Sequence, residues 1–131
     1  MKKCLLVALT AAAVMFAGCA SMEVTQDPNL NGQKLAAAGT TVAHITADNW
    51  GLYFLWIPLI TGGTDNPGTI VFSQDTVNSN SVISMVTKKS KELGGTASQD
   101  LWSVKNSMML PFPIPFLFYL KSVNVSANVI K

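Results

Sequence analysis

A chain of 131 residues with a net charge of +2 and no arginine is a poor match for nucleic acid, which calls for a clustered basic surface. It also lacks the guanidinium forks that clamp phosphates and carboxylates in bidentate fashion. Two cysteines and one histidine are too few for a His/Cys zinc centre, and the length suits one domain rather than two.

The N-terminus carries an address. Lys2 and Lys3 form a positive n-region, and Leu5 to Phe16 is apolar apart from Thr10. About a dozen apolar residues make a signal-peptide core, too short for a spanning helix. The segment closes with Ala17-Gly18-Cys19-Ala20, small residues around a cysteine. A thiolate is a strong nucleophile near neutral pH, so Cys19 is suited to thioether attachment of a lipid, with cleavage between Gly18 and Cys19. Gly18 and Ala20 also satisfy a small-x-small rule, and a cut after Ala20 would give an ordinary secreted protein.

The Val14–Ser21 stretch resembles the lipobox of bacterial lipoproteins, with Phe16 where leucine is most common. The resemblance implies that mature Cys19 carries a diacylglyceryl group and an amide-linked acyl chain such as palmitate. Several acyl chains anchor stably where one does so only marginally. Ala20, rather than aspartate, follows the cysteine, which by the same resemblance favours the outer membrane, facing the periplasm, over the inner one.

Processing removes Lys2, Lys3 and Cys4 and leaves seven lysines against seven carboxylates. With Cys19 acylated, no disulfide is expected even in an oxidising compartment. The expected organisation is a signal peptide over residues 1–18, a lipidated N-terminus and tether over 19–39, and one domain over 40–131. The tether reading rests on the polar Asn-, Gln- and Ala-containing composition around Pro28.

Thr40–Ala47 reads as a short strand, and Asp48-Asn49-Trp50-Gly51 as a turn, since Asn and Gly tolerate positive φ. Leu52 to Ile60 is then apolar on both faces, which marks a strand covered twice or one facing a membrane or partner. Thr61–Gly68 is a loop without the Gly-Lys-Ser/Thr ending of a phosphate cradle, and Thr69–Phe72 is a short strand. A helix begins among Asp75–Ser81, carries Val82, Ile83, Met85, Val86 and Leu93, places Lys88, Lys89 and Lys91 near its negative end, and stops at Gly94-Gly95.

Ala97–Ser107 reads as a strand. In Leu110–Phe116, prolines at alternate positions leave one edge of an extended chain without N–H groups, the mark of an edge strand or polyproline arm. Val123, Val125, Ala127 and Val129 alternate with polar residues in a half-buried strand. The expected fold is α+β, an antiparallel sheet of about four or five strands packed on one main helix. A helix ending in Leu93-Gly94-Gly95 and followed by a hairpin that finishes in Val123–Val129 resembles small envelope domains of β-α-β-β plan, with no functional residues implied.

Chemistry is sparse. His44 and Asp48 make a conceivable dyad, but no Gly-x-Ser-x-Gly elbow accompanies them and the carboxylates are scattered singly. No enzyme, cofactor or metal is expected. The unusual feature is an aromatic surplus in two proline-containing stretches: Tyr53, Phe54, Trp56, Phe112, Phe116, Phe118 and Tyr119. These define a candidate apolar surface for a homo-oligomer or an envelope partner, or alternatively for a lipid or other hydrophobic ligand.

Overall fold

The computed structural model describes residues 20–111 and 114–131. Gly18, Cys19 and Phe112, named above, lie outside them. Six strands form one antiparallel sheet: β1 (Ala20–Thr25), β2 (Thr41–Phe54), β3 (Ile57–Gly62), β4 (Ile70–Phe72), β5 (Ala97–Leu110) and β6 (Phe118–Ile130), with helix α1 (Ser79–Glu92) between β4 and β5. The order across the sheet is β4-β3-β2-β6-β5, and β1 also pairs with β2. β1 takes Thr25 to Ala20 against His44 to Asn49, whereas β3 pairs with Gly51 to Phe54. The two short strands therefore share one side of β2, and β6 runs along the whole of the other.

The α+β class holds, with a larger sheet than the expected four or five strands. The additional strand is β1, inside the stretch read as a tether. Ala20–Thr25 is therefore part of the sheet, twenty residues ahead of the expected domain start at Thr40. Its composition is polar because Ser21, Glu23 and Thr25 face away from the helix, while Ala20 is buried on the helix side and Met22 and Val24 pack on the core. Three inward side chains suffice when a long neighbouring strand supplies the backbone partners.

β2 departs most from expectation. Asp48-Asn49-Trp50-Gly51 is not a turn but the middle of a 14-residue strand. Asn49 is fully buried, and its amide nitrogen donates to the carbonyls of Thr76 (2.9 Å) and Gly62 (3.3 Å) while its Oδ1 accepts from Gly62 N–H (3.1 Å). A buried amide whose capacity is used this fully is stable inside a strand. Gly51 provides closeness rather than positive φ: a Cβ there would lie 2.7 Å from Thr61 Cγ2 and 2.8 Å from Ile60 O. The chain reverses later, at Leu55-Trp56, so the apolar run Leu52–Ile60 is the end of β2, a tight connection and the start of β3.

The helix follows its signals. Asn78 caps it, with Oδ1 accepting from Ser81 N–H at 2.9 Å, and Gly94 ends it at φ 79, as a left-handed cap requires. Val82, Met85 and Val86 are buried against Ala43, Ile45 and Ala47 of β2 and Val123, Val125, Ala127 and Val129 of β6. Each large side chain so buried contributes about 1.5–3 kcal/mol. Helix α1 is the only helix among the described residues, and it covers one face of the sheet.

Candidate interaction surface

Alternation along β2 sends Ala43, Ile45, Ala47, Asn49, Gly51 and Tyr53 to the helix side, all buried, and leaves the even-numbered residues half-buried on the other side. The cross-strand registers then fix what that second face is made of. Phe54 stands opposite Phe118, which stands opposite Leu110; Leu52 stands opposite Leu120, which stands opposite Met108. On the other flank Leu52 pairs with Ile60, and Ile60 with Phe72. One row of the helix-free face thus reads Phe72, Ile60, Leu52, Leu120, Met108 across five strands, without a polar side chain.

The β2–β3 and β5–β6 connections lie at the same end of the sheet, tied by the Leu55 N–H donating to Leu117 O at 2.7 Å. Phe54 and Phe118 meet edge to face with centroids 5.5 Å apart. Beyond them Trp56 is 74% exposed and Phe116 66% exposed, with Ile114 and Ile57 also open to solvent. Leu55 and Phe116 have positive φ (55° and 71°). Bulky side chains rarely occupy that region, where glycine or asparagine sits without strain. The tips hold apolar residues in the positions where a solvated turn would most easily dispense with them.

The seven aromatics singled out by sequence do not form one surface. Tyr53 is a correction: it is fully buried on the helix side, its hydroxyl donating to Asp75 Oδ1 at 2.6 Å. Tyr119 shares that side and packs against the core. Phe54 and Phe118 belong to the helix-free face, and Trp56 and Phe116 to the exposed end. The reason is the two-residue period of a strand: neighbours in sequence, 53 and 54 or 118 and 119, go to opposite faces. The aromatic set leaves out Phe72, Leu110, Met108 and Leu120, and joins them neither to one another nor to Leu52 and Ile60 of the apolar run. Only register joins them, although Leu52 and Leu120 sit at strand spacing from Phe54 and Phe118.

At the opposite end of the helix-free face lies a polar cluster. Asn128 Nδ2 donates to Leu35 O (2.7 Å) and Asp100 Oδ2 (2.9 Å), so its Oδ1 is the acceptor for His44 Nδ1 at 2.7 Å. His44 Nε2 is left 3.4 Å from Thr46 Oγ1. Asp48 is four residues along the same extended strand, about 13 Å away at strand rise, so His44 and Asp48 do not make a dyad. The asparagine instead ties β6 to β2, to β5 and to the 26–40 connection. Beside it is a cleft of about 420 Å³ lined by Thr25, Leu30, Leu35, His44 and Asn128. A second groove, about 270 Å³, runs between α1 and β1 with Met22, Val24 and Met85 at its floor and Lys88, Lys89, Glu92 and Asp65 around it. Neither touches the aromatic end. Among the described residues no group of three His, Cys, Asp or Glu side chains is placed to hold a metal.

No helix is long and apolar enough to cross a membrane among the described residues. Comparison with known protein families, characterised proteins and solved structures finds no match for this chain.

Proposed function

We propose that this protein is an acylated bacterial envelope lipoprotein, anchored through Cys19 and favouring the outer membrane, that works as a non-catalytic interaction module. Its working surface is the apolar end of the helix-free face. The observation that carries this reading is a contiguous apolar row spanning five strands and continuing into exposed Trp56 and Phe116. Scattered apolar residues are normal on a protein surface, but a continuous patch rimmed by polar residues marks a contact site. The signal segment supports the anchor: a positive n-region, a short apolar core and a cysteine after small residues agree with one another.

Two measurements test the two halves. Cells fed a labelled fatty acid should incorporate it into the wild type and not into Cys19→Ala; a wild-type N-terminus at Ser21 would overturn the anchor. The purified acylated protein in mild detergent should bind an apolar fluorescent dye, and Trp56→Asp with Phe116→Asp should bind far less. Equal binding by both would remove the surface from the proposal.

A further inference from the structure

The apolar end needs an occupant, and the way the chain enters the sheet decides among the candidates. β1 runs antiparallel to β2 with Ala20 opposite Asn49, so the N-terminal end of β1 is the end nearer the Trp56 and Phe116 tips. Ala20 lies five residues below Phe54, about 17 Å along the strand. Its amide is joined directly to Cys19. Ala20 is held on both sides, by its β2 partner and by Gly68 N–H donating to its carbonyl at 2.8 Å. With Ala20 fixed in the sheet, an acyl anchor on the adjoining Cys19 has no slack of chain by which the domain could stand off from the leaflet.

Charge distribution agrees. No charged side chain occurs from Asn49 to Thr64 or from Asn106 to Leu120, the two segments that build the end of the sheet. On the helix-free face the first charge behind the tips is Asp48, six residues below Phe54 and about 20 Å along the strand, whereas Lys121, Lys105 and the Asp75 carboxylate bonded to Tyr53 belong to the helix side. An uncharged apolar face of that depth, tipped by tryptophan and phenylalanine, has the dimensions of an interfacial membrane contact, in which apolar bodies enter about 5–10 Å.

On these grounds we infer that the partner of the apolar end is the lipid leaflet itself. The sheet dips its β2–β3 and β5–β6 tips into the same leaflet that holds the acyl chains of Cys19, and the polar end with His44, Asn128 and Trp102 points away. This deepens the functional proposal above and rests on its anchored, interacting surface. The acyl chains restrain the position of the domain, and the tips restrain its orientation. The helix side and the polar end are thereby presented to the surrounding compartment in a constant attitude.

The mature chain, with Cys4 removed and Cys19 acylated, holds no free thiol, so a single introduced cysteine can report depth. Trp56→Cys and Trp102→Cys replace residues that are 74% and 64% exposed, so neither change disturbs packing. Each acylated variant would carry a nitrobenzoxadiazole label and be reconstituted into phosphatidylcholine vesicles, plain or brominated along the acyl chain. Trp102 lies level with Thr46 through Ser126, eight residues below Phe54 and about 26 Å away. The label at 56 should therefore shift to the blue and lose emission to bromine, while the label at 102 keeps the emission of an aqueous dye. Overturning results are an unquenched label at 56 on vesicle-bound protein, equal quenching at 56 and 102, or a blue shift at 56 without quenching. The last would assign the surface to a second copy. Mass spectrometry of the same samples reports acylation separately, so loss of the anchor is distinguished from failure of the tips to insert.

Discussion

Tyr53 Oη donates to Asp75 Oδ1 at 2.6 Å while Lys121 Nζ stands 4.0 Å over the Tyr53 ring. One residue from the last turn of β2 thus joins the 73–78 strap to β6. Removing the hydroxyl in Tyr53→Phe should destabilise the domain by about 1 kcal/mol, read as a lower urea midpoint. Burial, then the bond to Asp75 and its negative charge, hold the phenol well above the usual tyrosine range. The folded state therefore keeps its proton where the unfolded chain releases it. The stabilisation is complete below the ordinary tyrosine pKa, about 10, and is lost as pH rises above it. Tyr53→Phe should show a shallower alkaline decline than the wild type; parallel declines would refute the assignment.

Asn49 is the polar centre of the sheet. Asn49→Ala leaves the Gly62 N–H and the Thr76 carbonyl without their side-chain partner, and each buried orphan costs about 1–3 kcal/mol. The loss should exceed that of Tyr53→Phe. Asn49→Asp should not restore stability, because a carboxylate accepts but does not donate. Thermal unfolding of the three variants ranks them directly.

Gly51 tests close approach without any change of turn. The added methyl of Gly51→Ala would meet Thr61 Cγ2 at 2.7 Å and the Ile60 carbonyl oxygen at 2.8 Å, and the latter is backbone that cannot rotate aside. Overpacking of this kind costs about 1–3 kcal/mol. A variant as stable as the wild type in urea would show that β3 yields freely, contrary to the register.

Asp48, half-buried on the helix-free face, has its carboxyl raised above the ordinary value by burial. The sign follows from linkage: the folded state holds the proton at pH values where the unfolded chain has released it, so Asp48 favours folding below about pH 3.9 and progressively less as pH rises through its folded pKa. Asp48→Asn should therefore be more stable than the wild type at neutral pH, with the difference shrinking towards pH 3. A difference independent of pH would refute it.

Some of this structure is legible without coordinates. Asn78, Gly94 and the Val82–Val86 spacing mark α1 because capping and the helical period act within a few residues of one another. Val123 to Val129 marks β6 because strict alternation records a sheet wet on one side. The errors share a cause. Asn49 and Gly51 have turn chemistry in isolation and strand roles in fact, because a buried hydrogen-bond network and a close strand contact use the same properties, an amide that bonds backbone and a missing Cβ. Composition counts aromatics and so groups Tyr53 with Phe54, whereas the pleat separates them.

By itself the amino-acid sequence determined the α+β class and the presence of more apolar material than a small core absorbs, and it is the whole basis of the proposed signal segment. Each of these depends on residue types and spacings within one short window. Only the tertiary structure decided that Ala20–Thr25 joins the sheet, that Leu52, Leu120, Met108, Ile60 and Phe72 share one row, and that the β2–β3 and β5–β6 tips stand together. Those are matters of register between strands up to ninety residues apart in the chain, as Thr41 opposite Ile130 illustrates. Antiparallel pairing is set by backbone hydrogen bonds that every residue type can make, so no local pattern specifies which partners meet.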